Sequence, residues 1–487
     1  MSHNIVKNAV FKTLLTMLNI AVPLLVGPYI ARVLDVELYA YYNQAISVLA
    51  WFIPFATFGV YNYAIREISF VKNDKTQVER SFSKFFIISI CATIATTIVY
   101  LVIINSSVDK AIITIYYILI IELIAQGFNV EWMNEADENY RFILVKTVIV
   151  KSLYIVSIFV FIRDATHIYQ YTAIAASSVL LNYLLSFGYI KSKLKFVKIP
   201  LHELLDLIKP LLIMLLLTNA NMLFTYLDRL FLVMSDTAIV ESTYYQLSLA
   251  IASLITQVIS SVLVVTIPRL SKTIIQSIDD YKSILNNSAH CFFMIAFPVV
   301  FGLTVLGPEA MLIYGGEKYA IAGVTLQLFA IRMIPCLFDR VLSSQILFVN
   351  KKERQIAKLY LITGGINLLL NTILLMTNMI NANNLVITTM ISESILVLLQ
   401  LYEVQKLHNA EIKVIDKDVL KYAILSGLMA LLLLLLKHFF FASYSGIKSA
   451  ILISGMFVFV GCVFYFIGLI ITKDKYLKKI ILMRINK

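Results

Sequence analysis

The chain has 487 residues, 60% of them hydrophobic and 14% charged, with a formal net charge of +12. Soluble domains run at about 45–50% apolar and about 25% charged, so the composition excludes a string of soluble domains and specifies an all-α polytopic membrane protein. The basic balance does not call for nucleic acid, because lysines and arginines distributed along inner loops answer to topology and to an anionic inner leaflet.

In chain order, windows of about 20 predominantly apolar residues fall at 12–33, 40–63, 84–105, 110–130, 142–162, 168–190, 210–233, 241–266, 288–313, 321–349, 357–379, 384–405, 420–439 and 448–472. These are about 14 transmembrane helices. The opening "MSHNIVKNAVFKTLLTMLNIAVPLLVGPYIARVL" has a basic flank, but its apolar part is long and no small-residue cleavage site follows, so it reads as an uncleaved first span. Lysines and arginines collect in alternate connections. Lys7 and Lys12, the group from Arg66 to Lys84, Arg141 and Lys146, the group from Lys191 to Lys209, and their successors to Lys487 make up 31 of the 41. The opposite set holds only Lys110, Arg163, Lys318, Lys437 and Lys448. By the positive-inside bias both termini are expected in the cytoplasm. Outer connections such as "LDVELY" and inner ones such as "KSKLKFVKIPLHELLDLIK" leave no room for a soluble catalytic domain.

Cys91, Cys291, Cys336 and Cys462 each lie in an apolar run with no C-x-x-C pair, which fits small packing residues rather than a metal site. The sequence lacks a phosphate-cradling glycine loop, a dinucleotide fingerprint and an H-E-x-x-H pair, and its six histidines are scattered. No catalytic residue, metal or organic cofactor is therefore expected, and the chain reads as a non-enzyme.

Work done between helices needs polar groups that lipid would reject unless they face protein or water. Residues three, four or seven apart share a helix face. The fourth span aligns Glu122, Gln126 and Asn129; the seventh Asn221, Thr225 and Asp228, with Arg229 on the flank; the eighth Ser242, Gln246, Ser253, Gln257 and Ser260. The tenth aligns Arg332, Asp339 and Ser343, with Arg340 on the flank, and the twelfth aligns Thr389, Glu393 and Gln400. Hydroxyl and amide stripes also serve as glue between transmembrane helices. The ionisable groups near mid-span, Glu122, Lys151, Arg332 and Glu393, point to function or to structural ion pairing. Arg32, beside Asp35 and Glu37, can snorkel to an interface.

The stretch "PLLVGPYIARVLDVELYAYYNQAISVLAWFIPFATFGVYNYAIREIS" at 23–69 resembles the opening of polysaccharide-repeat flippases of the multidrug/oligosaccharidyl-lipid/polysaccharide exporter superfamily. The stretches 226–271 and 342–375 are similar to the same family. The segment "ARVLDVELYAYY" departs from it where glycines are usual. The resemblance implies two pseudo-symmetric six-helix bundles, 1–200 and 201–415, enclosing a cavity, followed by two additional helices and a basic tail at 416–487. It also implies alternating access and a substrate, an undecaprenyl-diphosphate-linked oligosaccharide carried across a bacterial inner membrane for O-antigen or capsule biosynthesis. A polysaccharide polymerase and a chain-length regulator are the implied downstream partners, alongside membrane lipid.

A diphosphate in a low-dielectric site calls for cations and donors. Arg332, Arg229, Arg340, Lys151 and Arg32, with Gln246 and Gln257 for sugar hydroxyls, are the substrate-binding candidates. Asp228, Glu122, Glu393 and Asp339 are the candidates for H⁺ or Na⁺ coupling or for gating. The alternatives are an exporter of another lipid-linked precursor (teichoic acid or peptidoglycan), a cation-coupled multidrug extruder, and a membrane polysaccharide polymerase.

Overall fold

The computed structural model describes residues 2–235, 239–264, 266–407, 414–440 and 446–478, and within these all side chains except those of 2–7, 9, 216, 217, 220, 221, 262, 264, 268, 275 and 440. The described residues are helical and contain no strand. In hydrocarbon each backbone N–H and C=O must be satisfied within the segment, which a helix does and an open strand does not.

The helices are α1 (Ser2–Val33), α2 (Val36–Thr57), α3 (Val60–Val71), α4 (Lys75–Ser107), α5 (Ile113–Ala125), α6 (Glu131–Ala136), α7 (Tyr140–Phe161), α8 (Ile168–Lys191) and α9 (Leu201–Thr218). They continue as α10 (Thr225–Val233), α11 (Ile239–Val264), α12 (Ile267–Gln276), α13 (Ile278–Gly315), α14 (Gly323–Asp339), α15 (Glu353–Met376), α16 (Ala382–Gln405), α17 (Lys417–Phe440) and α18 (Ile447–Ile471). A π-helical segment, Arg340–Leu347, extends α14.

Among the described residues, twelve stretches are long and apolar enough to cross a membrane, and the protein is a multi-pass membrane protein. The expected spans at 210–233 and 241–266 are not among the twelve. The first is divided into α9, a 3₁₀ turn at Ala220–Leu223 and α10, where the polar run Thr218–Asn221 interrupts the apolar pattern. The second falls on the 26-residue α11, whose end, at 262, 264 and 265, lies outside the residues described in full. The span expected at 40–63 is also divided, at Phe58 and Gly59, both with positive φ. A Cβ on Gly59 would stand 2.6 Å from the Leu211 carbonyl oxygen and 2.7 Å from the Leu215 nitrogen, so only glycine admits α9 this closely.

The chain divides into two compact units, one of Met1–Met222 with Leu232–Ser242, the other of Leu223–Phe231 with Thr243–Lys487. In unit 1, α5 and α7 both pack on α8, α1 packs on α7, and α2 packs on α4 and α5. Trp132, fully buried, anchors a cluster with Phe82, Phe85, Val60 and Ile68. Asp35 and Asp74 start α2 and α4 by accepting hydrogen bonds from backbone N–H groups of the first turn.

In unit 2 the 38-residue α13 packs on α14, α17 and α18, while α14 and α15 both pack on α16. Lys437 of α17, placed by the sequence in an outer loop, reaches the fully buried Glu309 of α13 at 2.6 Å. Beyond α18, Asp474 caps its own turn through Tyr476 and Leu477 N–H and meets Lys421 and the Tyr422 hydroxyl of α17.

Candidate functional site

Unit 2 gathers four of the charged residues singled out in the sequence on α10, α14 and α16. Arg332 of α14 donates through Nε to Glu393 Oε2 at 2.9 Å and through Nη2 to Glu393 Oε1 at 2.6 Å, a two-pronged pair across the α14–α16 seam. The same Nη2 donates to Thr225 Oγ1 of α10 at 3.2 Å, the Cys336 thiol donates to Glu393 at 3.3 Å, and the guanidinium lies 5.5 Å from the centre of the Phe329 ring. Cys336 thus does more than fill space. Arg332 is 6% exposed, and a guanidinium at mid-span costs about 2.5–3.5 kcal/mol even on the mildest insertion scale. Glu393 supplies both the opposite charge and the planar match that offset this cost.

Asp228 of α10 is fully buried. Its Oδ2 accepts from the Tyr245 hydroxyl at 2.8 Å and the Thr389 hydroxyl at 2.5 Å; its Oδ1 accepts from Asn367 Nδ2 at 3.1 Å and Asn371 Nδ2 at 2.8 Å. Arg332 acts on it through space. Asp339, where α14 passes into the π-helical segment, is held in the same manner. Ser343 and Gln400 donate to Oδ1, both at 2.7 Å, and the Tyr360 hydroxyl donates to Oδ2 at 2.6 Å. Each aspartate therefore has one tyrosine hydroxyl, at least one carboxamide and one small hydroxyl, a neutral shell that mimics water.

Arg229 is buried, with its guanidinium 6.0 Å from the Tyr226 ring centre. It does not salt-bridge its neighbour Asp228 in any ion pair seen among the described residues, as the turn of about 100° between adjacent helical positions requires. Arg340 and Gln257 are exposed and Gln246 is half-buried, and none of the three is among the hydrogen-bond partners of the α14–α16 pair seen among the described residues. The side chain of Asn221 lies outside the described residues. In unit 1, Glu122 of α5 and Lys151 of α7 lie within each other's field, with Tyr154, Tyr183 and Gln126 around them. Lys151 Nζ lies 5.7 Å from the Tyr154 ring centre. Arg32, at the end of α1, is exposed.

Several residues of these shells were not foreseen from the sequence. Asn367 and Asn371 follow Thr363 at intervals of four in the eleventh span, a stripe as regular as those recognised elsewhere. Tyr245 adjoins Gln246, and Tyr360 carried no signal beyond being one of 27 tyrosines. Glu131 and Lys146 read as loop residues and are instead a buried ion pair of unit 1. One grouping of metal-ligand type occurs among the described residues, His290, Asp416 and Asp418. There Asp418 already pairs with Lys421 and Lys475, and Asp416 caps the start of α17.

The model of the family described as polysaccharide biosynthesis protein matches residues 5–274, and the chain belongs to that family. No curated protein sequence matches the chain. Among solved structures, a lipid II flippase, MurJ, in an inward closed conformation superposes with a TM-score of 0.73 at 14% identity, covering 96% of this chain and 99% of that one. An inward-facing multidrug resistance MATE family transporter of the MOP superfamily gives 0.60 at 16% identity over 81% of this chain and 96% of that one. A MATE structure in the straight conformation gives 0.56 at 15% identity over 82% and 95%. The fold is thus that of the superfamily which the stretch 23–69 resembles.

Proposed function

We propose that the protein is a flippase that moves undecaprenyl-diphosphate-linked oligosaccharide repeat units across a bacterial inner membrane by alternating access, with both termini in the cytoplasm, for O-antigen or capsule assembly. Membership of the polysaccharide biosynthesis family supports the substrate class, and the buried Arg332–Glu393 pair carries the reading. A guanidinium fork that matches two carboxylate oxygens matches two phosphate oxygens equally well. A diphosphate arriving at the seam would exchange with Glu393 for Arg332, while Arg229 lies one residue beyond Asp228 on α10. Beside the pair on both helices runs an apolar groove of about 400 Å³, lined by Ile331, Pro335, Ile391, Ile395 and Leu398 among others, chemically suited to a lipid chain. The polymerase and chain-length regulator that would consume the product act after translocation. Cells lacking the gene are expected to accumulate complete lipid-linked repeat units facing the cytoplasm. Accumulation of outward-facing, unpolymerised units would instead identify a polymerase and overturn the reading.

The coupling ion is H⁺ or Na⁺, and Asp228 is its site. Asn367, Asn371 and Thr389 now donate to this fully buried carboxylate; on cation entry the carboxamides would turn their oxygens inward, giving the oxygen ligands that hard cations take. Export into vesicles is expected to respond to a Na⁺ or proton gradient, and Asp228→Asn is expected to abolish that response. Transport indifferent to both gradients removes the coupling. A second reading, export of a peptidoglycan or teichoic-acid precursor, is favoured by the fold shared with a lipid II flippase. It predicts arrested cell-wall synthesis rather than loss of surface polysaccharide in the deletion strain.

A further inference from the structure

Unit 1 contains a polar site that the proposed function does not use. Lys146 of α7, 4% exposed, donates to Glu131 Oε1 of α6, to Ser186 Oγ of α8 at 2.8 Å and to the Asn182 backbone oxygen of α8 at 3.1 Å. Ser186 also donates to Glu131 Oε1. The three ammonium protons and one carboxylate oxygen are thereby satisfied, and Oε1 is held so that Oε2 has a fixed direction.

On α6, on the turn just before it and on α8, the elements that meet at this pair, buried atoms stand without partners: Glu131 Oε2, Asn129 Oδ1, Asn182 Oδ1, and both Oδ1 and Nδ2 of Asn134. Asn134 is 1% exposed and one turn beyond Glu131 on the same face of α6. Native interiors leave few such atoms unpaired, and a cluster of them marks an ion or ordered water. The balance among them is uneven: four are acceptor oxygens and one is an amide nitrogen. A ligand that satisfies this set must present positive charge or donors.

We propose that Glu131 Oε2 and the carboxamide oxygens of Asn129, Asn134 and Asn182 form a binding site for a monovalent alkali cation in unit 1, separate from the carboxylates of unit 2. The ligand atoms are all hard oxygens, with no histidine or cysteine, which disfavours transition metals. Lys146 cancels the single carboxylate charge, so the site lacks the anionic charge that divalent ions require to dehydrate. The cation would tie α6 and the turn before it to α8.

The test uses the purified full chain in detergent, carrying Asp228→Asn to remove the buried carboxylate of α10. Thermal unfolding is followed in NaCl, KCl and choline chloride at constant ionic strength. The expected result is a midpoint that rises and saturates with one of the two alkali cations but not with choline. Asn134→Leu is expected to weaken the half-saturating concentration at least tenfold. Asn129→Ala, at a half-buried position, is expected to act in the same direction and serves if Asn134→Leu does not fold. Equal midpoints in all three salts, or an alkali effect unchanged by both substitutions, would mean that these oxygens hold water only and would overturn the site. Neither result bears on whether the protein exports lipid-linked sugars.

Discussion

In unit 1 the buried carboxylate Glu131 is met by Lys146, and Glu122 lies in the field of Lys151. In unit 2, Asp228 and Asp339 take their hydrogen bonds from neutral tyrosine, carboxamide and hydroxyl donors, and the arginine goes to Glu393. The helical scaffolds are alike: α7 and α5 meet on α8 in the one, α15 and α14 meet on α16 in the other. Scaffold therefore does not dictate how charge is held. Lysine is a compact point charge that neutralises a carboxylate and stays with it, whereas arginine presents a planar fork that can trade one pair of oxygens for another. A carboxylate in a neutral shell keeps its charge available to an incoming cation. The α10, α14 and α16 seam of unit 2 would thus suit the exchange proposed above, whereas the Glu131–Lys146 pair of unit 1, like Lys437–Glu309 in unit 2, suits cohesion.

The largest expected effect falls on Arg332. Arg332→Ala strands Glu393 inside the seam, where loss of one partner of a buried pair costs about 3–5 kcal/mol, and should abolish surface polysaccharide while the protein still inserts. Arg332→Lys keeps the charge but loses the fork, and should also fail. Surface polysaccharide is to be compared with membrane abundance in both variants. Export by Arg332→Lys at the unsubstituted level would erase the distinction between the units.

Lys146 should behave differently. Lys146→Met alone is expected to destabilise unit 1 by about 3–5 kcal/mol through the unpaired Glu131, and Glu131→Leu added to it should restore most of that loss, because an apolar pair can replace a buried ion pair. Thermal unfolding of the two single variants and the double variant closes the cycle. Additive losses would show that the pair is not the unit of stability there.

Much of the architecture could be read from apolar run lengths, because lipid imposes a length on every span and a polar break on every connection. Arg332, Glu393, Asp228 and Asp339 stood out for a related reason: charge within an apolar run is rare. What escaped was the partner chemistry. Tyr245 and Tyr360 are amphipathic and look like packing until a carboxylate is opposite them, and Lys146 sits near enough to a helix start to count as a loop residue. The break at Gly59 was equally hidden, since an apolar window does not register a sign change in φ.

Gly59→Ala tests that break. The positive φ of 69° and the close Leu211 and Leu215 backbone atoms both oppose a Cβ, the strain alone amounting to about 1–2 kcal/mol. A fall in the thermal midpoint confined to this substitution, with Gly365→Ala unchanged because nothing lies within 4 Å of its added Cβ, is the expected pattern. Equal shifts at both positions would show that α9 yields to the added atom.

The smallest effect is electrostatic and belongs to the start of α9. Glu203 accepts hydrogen bonds from Arg80 and pairs with Lys84 at 2.5 Å. These bonds, Arg80 first and Lys84 second, pull its carboxyl down to about 2. A carboxyl that titrates lower when folded favours the folded state above its unfolded value of about 4.3 and loses that contribution as pH falls toward 2. The α4–α9 junction should therefore loosen between about pH 4.3 and 2. Glu203→Gln should remove that portion of the acid dependence while leaving the midpoint at pH 2 unchanged. All three ions of the cluster border water, so added salt should flatten the slope as well. An acid dependence identical in Glu203→Gln and the unsubstituted protein would assign the acid sensitivity of unit 1 to other carboxylates.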